Sequence, residues 1–235
     1  MLIAVEGIDG AGKSTQVALL RDWLQEERIP CVVSEWNSSK LVHAALKEAK
    51  HSRQLTPRTY SLFHALDFAD RYERRILPAL LSSPSAVVIC DRYIYTAFTR
   101  DAARGLYGRW VWGLYSYARK PDLVFYLRVP VELALQRIMN SRGAEGANGG
   151  RGEGAKHKSR LKYYEAGLDM KLSADPERSF RIFARRVTGE YDRLAPMYGF
   201  TIVDGAKKAL TQHADIRAAV QSAMDGAARQ AAPGA

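Results

Sequence analysis

What is scarce in this sequence narrows its class before any motif is read. No apolar run approaches the roughly 20 residues that a membrane-crossing helix needs, so a transmembrane protein is not expected. The first residues carry no basic stretch ahead of an apolar one and no small-residue cleavage site. Residues 2–5 therefore read as a core strand, not as a signal peptide. Cysteine is rare: Cys31 and Cys90 are the only two in 235 residues, and both fall in predicted strands. That excludes a disulfide scaffold and points to free thiols in a reducing cytoplasm. Acidic residues are outnumbered, 25 against 35 Lys and Arg, leaving a net charge of +10. Such an excess suits nucleic acid or a polyanionic small molecule. No basic run is interleaved with aromatics as single-strand binders arrange them, so nucleic acid is not the expected partner.

What is present begins with Gly7-Ile8-Asp9-Gly10-Ala11-Gly12-Lys13-Ser14-Thr15. The stretch follows a short apolar run and precedes a helical pattern, the strand, turn and helix context that a phosphate-binding loop requires. Glycines let successive backbone N–H groups turn toward an anion, and the helix start adds its positive dipole end. Lys13 is placed to reach the outer phosphates, and the Ser14 hydroxyl to hold magnesium. Apolar runs at residues 2–5, 31–34, 86–90, 122–128 and 200–203 alternate with helical patterns. The expectation is an α/β chain of the P-loop NTPase fold, a five-stranded parallel sheet flanked by helices.

At the end of the third strand Asp91-Arg92-Tyr93 places a carboxylate where P-loop proteins orient magnesium. Arg92 follows in place of a second acid, which favours phosphoryl transfer over hydrolysis. Thr56-Pro57 opens a helix expected to run to about residue 81, on which Leu62 and Phe63 face the core. Asp67, Asp70, Arg71 and Arg74 form another stripe, readable as solvated ion pairs or as part of an acceptor site. The helix at 109–119, with Trp110, Trp112, Tyr115 and Tyr117, reads as core or as a homodimer interface. Residues 140–162 lose apolar content and gain Gly and charge, which suits a flexible insertion or a lid closing over phosphates. A single domain over residues 1–226 and a frayed tail over 227–235 complete the expectation.

Together, residues 6–15, Ile76-Leu77-Pro78-Ala79-Leu80, Asp91-Arg92-Tyr93, Lys120-Pro121-Asp122-Leu123 and Asp204-Gly205 resemble the thymidylate kinase family. The resemblance implies a nucleoside monophosphate kinase that passes the ATP γ-phosphoryl group to dTMP or a related monophosphate, with Mg2+ on Ser14 and Asp91. It implies that Gly7, Asp9, Gly10, Ala11, Gly12, Lys13, Ser14 and Thr15 hold ATP and that the loop at Asp204 and Gly205 covers the adenine. Asp9 is implied to contact the acceptor sugar and Arg92 to bridge the phosphates. Gly10 stands where some members carry an arginine, so lid charge is expected from Arg142, Arg151 and Arg160.

On the acceptor side the chain departs from the family pattern. It has Glu35-Trp36-Asn37-Ser38 where the family has an arginine that grips the acceptor phosphate, leaving Lys40 or Arg71 as replacements. The family's thymine-reading arginine falls at Asp67 or Phe68, and its other base-reading residues near Thr99-Arg100-Asp101. The acceptor site is accordingly expected among Asp9, Lys40, Phe63, Asp67, Arg71, Tyr93, Thr96 and Arg100. Two alternatives stay open: a P-loop kinase for another phosphorylated acceptor, and a non-catalytic ATP-binding regulatory module.

Overall fold

Every side chain of Leu2–Glu6 is buried, as in a strand covered on both faces, and this segment forms β1 at the centre of the sheet. β3 (Val87–Asp91) lies parallel to it on one side and β4 (Leu123–Arg128) on the other. β2 (Cys31–Glu35) and β5 (Thr201–Asp204) form the two edges, so the order among the described residues is β2-β3-β1-β4-β5, all parallel. Each strand lies within one residue of its expected bounds. The computed structural model describes residues 1–145 and 161–231.

Helices fill the crossovers. α1 (Lys13–Glu26) packs on β1, β2 and β3 and against α9 (Ala209–Ala231). α5 (Ile94–Ala103) packs against α8 (Pro176–Tyr198), and α7 (Val131–Glu145) also lies on α8. α2 (His43–Ser52) follows the loop after β2. The core is largely aliphatic on the strands, with Phe125, Phe180, Phe183 and Tyr191 where α8 meets the sheet. Among the described residues no helix is long and apolar enough to cross a membrane, and Cys31 and Cys90 are free.

The helix expected from 57 to 81 is interrupted. α3 (Pro57–Arg71) opens with Thr56 accepting from the Thr59 N–H, as its Thr-Pro start predicts. A π-helical turn, Tyr72–Ile76, then leads into α4 (Leu77–Ser82). Pro78 has no N–H for the carbonyl four residues before it, and the chain widens there, with the Leu77 N–H reaching the Tyr72 carbonyl. The aromatic segment is also shorter than expected, α6 (Gly108–Leu114), with Tyr115 buried while Trp112 and Tyr117 are exposed. At the C-terminus α9 continues to Ala231, into the stretch expected to fray. Of the expected lid, Arg151 and Arg160 lie outside the described residues, and the backbone of Arg142 belongs to α7.

Candidate active site

The loop between β1 and α1 closes tightly around its own backbone. Gly10 has φ +81°, and a Cβ there would collide with the Ala134 carbonyl of α7, so a side chain at this position requires the backbone to shift. Gly12 caps α1 in the left-handed region at φ 95°. Lys13 is buried, and its ammonium donates to the Ile8 carbonyl at 2.8 Å, across the mouth of the loop. Burial, with Arg92 nearby, lowers its pKa to about 8, against the pull of Asp9 and Asp91. Ser14 donates to Asp91 at 2.7 Å, which brings the expected magnesium-side pair together across 77 residues of sequence. The other Asp91 oxygen is buried and has no hydrogen-bond partner. One hydroxyl and one carboxylate with a spare oxygen form a donor set suited to a hydrated hard cation. Among the described residues no cluster of three or more His, Cys, Asp or Glu forms a metal site.

Two arginines share one carboxylate beside this loop. Arg92 and Arg100 each donate an Nη2 to a different oxygen of Asp9. Burial pushes Asp9 up, but Arg100, Arg92 and Lys13 outweigh it and hold the carboxyl well below its usual range. Arg92 sits at φ 71°, an uncommon conformation for a non-glycine residue that costs about 1 kcal/mol or more. Its backbone N–H donates to the Val5 carbonyl at 3.0 Å, and its second terminal nitrogen, Nη1, is buried without a partner. The turn is held by Glu6. This carboxylate is fully buried and accepts from the Tyr93 N–H at 2.8 Å, Thr96 at 2.6 Å and Tyr191 at 2.7 Å. Burial raises its pKa against those hydrogen bonds. Glu6 thereby ties the end of β1 to the start of α5 and aims Arg92 at the loop.

The three residues Asp9, Arg92 and Arg100 also line a cavity of about 800 Å³. Another part of its wall is aromatic: Trp36, Tyr60, His64 and Tyr164. Trp36 stacks on His64 with ring centroids 5.4 Å apart and donates its indole N–H to Nδ1 at 2.6 Å. Burial drives the His64 pKa well down, so the ring is neutral and carries its proton on Nε2. Lys50 lies 5.5 Å over the Tyr60 ring, and burial lowers its pKa to about 8. A wall of flat rings with a few fixed polar groups suits a planar base, and the guanidinium pair suits a phosphate.

A glycine loop, a cation-suited oxygen pair and an aromatic cavity joined to them by Asp9 are the parts that phosphoryl transfer between two substrates needs. The family model for thymidylate kinase matches residues 5–172. The chain belongs to the thymidylate kinase family. It is 44% identical over 218 residues to the probable thymidylate kinase 2 of Saccharolobus solfataricus, covering 92% of this chain and 93% of that protein. It is 35% identical over 142 residues to the probable thymidylate kinase of Pyrococcus horikoshii, covering 58% and 68%. Against the thymidylate kinase of Brachyspira hyodysenteriae it is 32% identical over 143 residues, covering 60% and 70%. The protein is thus a phosphotransferase, a nucleoside monophosphate kinase of the thymidylate kinase type.

Within this thymidylate kinase family member the expected site residues divide into two groups. Gly7, Asp9, Gly10, Ala11, Gly12, Lys13, Ser14 and Thr15 form the loop and first turn, and Asp9, Arg92, Thr96 and Arg100 line the cavity. Thr96 gives its hydroxyl to Glu6. Asp204 and Gly205 end β5, where Gly205 donates to the Arg128 carbonyl at 2.8 Å and Asp204 accepts from Ala206. Asp67 and Arg71 do not line the cavity and are buried beneath the loop after β2. Asp67 accepts from the backbone N–H groups of Asn37 (3.0 Å) and Ser39 (2.9 Å) and pairs with Arg71, which also donates to Ser34. Tyr93 likewise lies off the cavity, fully buried with its hydroxyl donating to the Arg119 carbonyl at 2.9 Å. Lys40 is exposed and Phe63 half-buried, and neither lines the cavity. Sequence reasoning missed Tyr60 and His64. Their spacing of four residues on α3 places them on one face, a signal that was available.

Proposed function

We propose that this kinase transfers the γ-phosphoryl group of ATP to dTMP or a closely related pyrimidine monophosphate, with magnesium. The observation that carries this reading is the Asp9 carboxylate shared by Arg92 and Arg100, which stands in both the phosphate loop and the aromatic cavity. The relatives' names supply the acceptor. Lys13 and the loop N–H groups hold the donor phosphates, and Ser14 and Asp91 hold magnesium, which when bound neutralises phosphate charge. Arg92 spans the gap to the acceptor and stabilises charge on the transferring group, so that catalysis is mostly positioning and electrostatics. Trp36, Tyr60 and His64 enclose the base and exclude water from the acceptor end. Lid arginines, with Arg142, Arg151 and Arg160 as candidates, add charge when both substrates are present. The free thiols Cys31 and Cys90 support a reducing, cytoplasmic setting, and the exposed rings of Trp112 and Tyr117 support a homodimer.

Incubation with magnesium ATP and a panel of monophosphates, dTMP, dUMP and dCMP included, tests this reading by chromatography of the products. ADP release that depends on dTMP, with dTDP as product, is the expected result. ADP release independent of any monophosphate, or none with the whole panel while ATP binds, overturns it.

A further inference from the structure

Arg100 and Arg104 stand one turn apart on or just after α5, yet their surroundings are opposite. Arg104 is fully enclosed and saturated: it pairs with Asp169 at 2.8 Å and donates to the carbonyls of Tyr164 (2.7 Å) and Arg100 (3.3 Å). Its guanidinium also lies 4.6 Å over the Tyr60 ring and 4.5 Å over Phe183. That is how an arginine looks when its work is to hold a fold together.

Among the described residues Arg100 makes one side-chain hydrogen bond, to an oxygen of Asp9, and it lines the cavity. The carboxylate it uses is already paired with Arg92 on its other oxygen. With Lys13 nearby, three cations surround this carboxylate, and with Asp91 as the other acid acting on Lys13 and Arg92 the group keeps positive charge in excess in a partly desolvated site. Such an excess costs free energy until an anion arrives, and a phosphate monoester supplies the opposite charge.

The other cations near the acceptor end are placed differently. The loop segment Glu35-Trp36-Asn37-Ser38 contributes no positive charge, Arg71 is held under it by Asp67 and Ser34 with its Nη2 buried and unpartnered, and neither Arg71 nor Lys40 lines the cavity. Three lysines also stand on the cavity wall: Lys162 pairs with Glu165, Lys50 lies over Tyr60, and Lys47 lies on α2.

We propose that Arg100 is the residue that binds the acceptor's phosphate, as a second clamp beside Arg92, and that Asp9 holds the two guanidiniums together until that phosphate displaces part of their pairing. This rests on the acceptor being a nucleoside monophosphate, the reading given above.

The test is a binding cycle that removes the phosphate from the ligand and the guanidinium from the protein. Affinities for dTMP and thymidine are measured by calorimetry on the full chain and on Arg100→Gln, Arg100→Lys and Lys40→Gln. The full chain is expected to prefer dTMP. Arg100→Gln is expected to shrink that preference about tenfold or more, the worth of a charge-assisted hydrogen bond, with thymidine and ATP affinities little changed. Arg100→Lys should keep part of the preference, and Lys40→Gln all of it. If Arg100→Gln retains the full preference, or Lys40→Gln loses it, Arg100 is not the clamp. If both Arg100 variants lose thymidine and ATP binding together, Arg100 is a fold-holding residue and the proposal fails. If the unaltered protein binds neither dTMP nor thymidine, the acceptor reading itself falls and takes this proposal with it.

Discussion

Asp67 and Arg71, one helical turn apart on α3, form an ion pair of 2.8 Å in which both side chains are almost wholly buried. Asp67 also receives two backbone N–H groups from the loop after β2. Removing it leaves Arg71 charged in the interior and the loop without its anchor. Asp67→Ala is expected to lower stability by about 3–5 kcal/mol and to weaken acceptor binding as Trp36 loses its setting. Urea unfolding measures the first effect, and an unchanged midpoint would refute it.

Gly10 and Gly189 predict opposite outcomes for the same substitution. Gly10→Ala places a Cβ against the Ala134 carbonyl in a left-handed backbone, and a loss of about 1–3 kcal/mol is expected. Gly189 is exposed inside α8 with open space around it, so Gly189→Ala is expected to stabilise by up to about 1 kcal/mol. Melting temperatures of the two variants moving in the same direction would contradict this account.

Asp101 is buried beside Ser61, whose hydroxyl donates to it at 2.5 Å. Burial raises its pKa from 3.8 to about 6 despite Ser61, Arg104 and Arg100. Between those values the folded state binds the proton that the unfolded state has released. Stability from this group is therefore fully present below about 3.8 and lost as pH rises through about 6. Asp101→Asn, neutral at every pH, should be the more stable protein at pH 8 by up to about 2 kcal/mol, with the gap narrowing below pH 6. Denaturant curves from pH 5 to 8 provide the check, and a gap constant across that range would count against it.

Ser14 and Asp91 predict a metal phenotype without a folding phenotype. Ser14 is exposed at the start of α1, so Ser14→Ala should leave thermal stability within about 0.5 kcal/mol. The magnesium concentration for half-maximal dTDP formation should rise about tenfold, as one oxygen ligand is lost. Unaltered magnesium dependence would remove Ser14 from the metal site.

Much of the site was legible because its elements are local. The strand, glycine turn and helix around Lys13 are contiguous, and Asp91-Arg92 follows a short apolar strand, so position along the chain fixes position at the sheet's carboxyl edge. The stripe Asp67, Asp70, Arg71 and Arg74 was legible as a stripe but not as a direction. Helical spacing states which residues share a face, and only the packing of Trp36 and the loop after β2 shows that Asp67 and Arg71 turn inward while Arg74 remains exposed. The burial of Tyr93 was not legible for a related reason: an aromatic after Asp91-Arg92 reads as part of the site, and only its packing on Phe68 and its hydrogen bond to Arg119 show that it lies in the core.

The sequence by itself determined the fold class, the glycine loop after β1 and the places of Ser14 and Asp91 at strand ends, since each rests on spacing within a few residues of a strand end. Tertiary structure decided which cations are available to substrate. Asp9 and Arg100 are 91 residues apart and meet because β1 and β3 are paired and Glu6 pins the start of α5 beside the loop. Burial then separates arginines of identical chemistry: Arg71 and Arg104 are held by carboxylates of their own, and Arg92 and Arg100, sharing one, keep charge to spare for a phosphate.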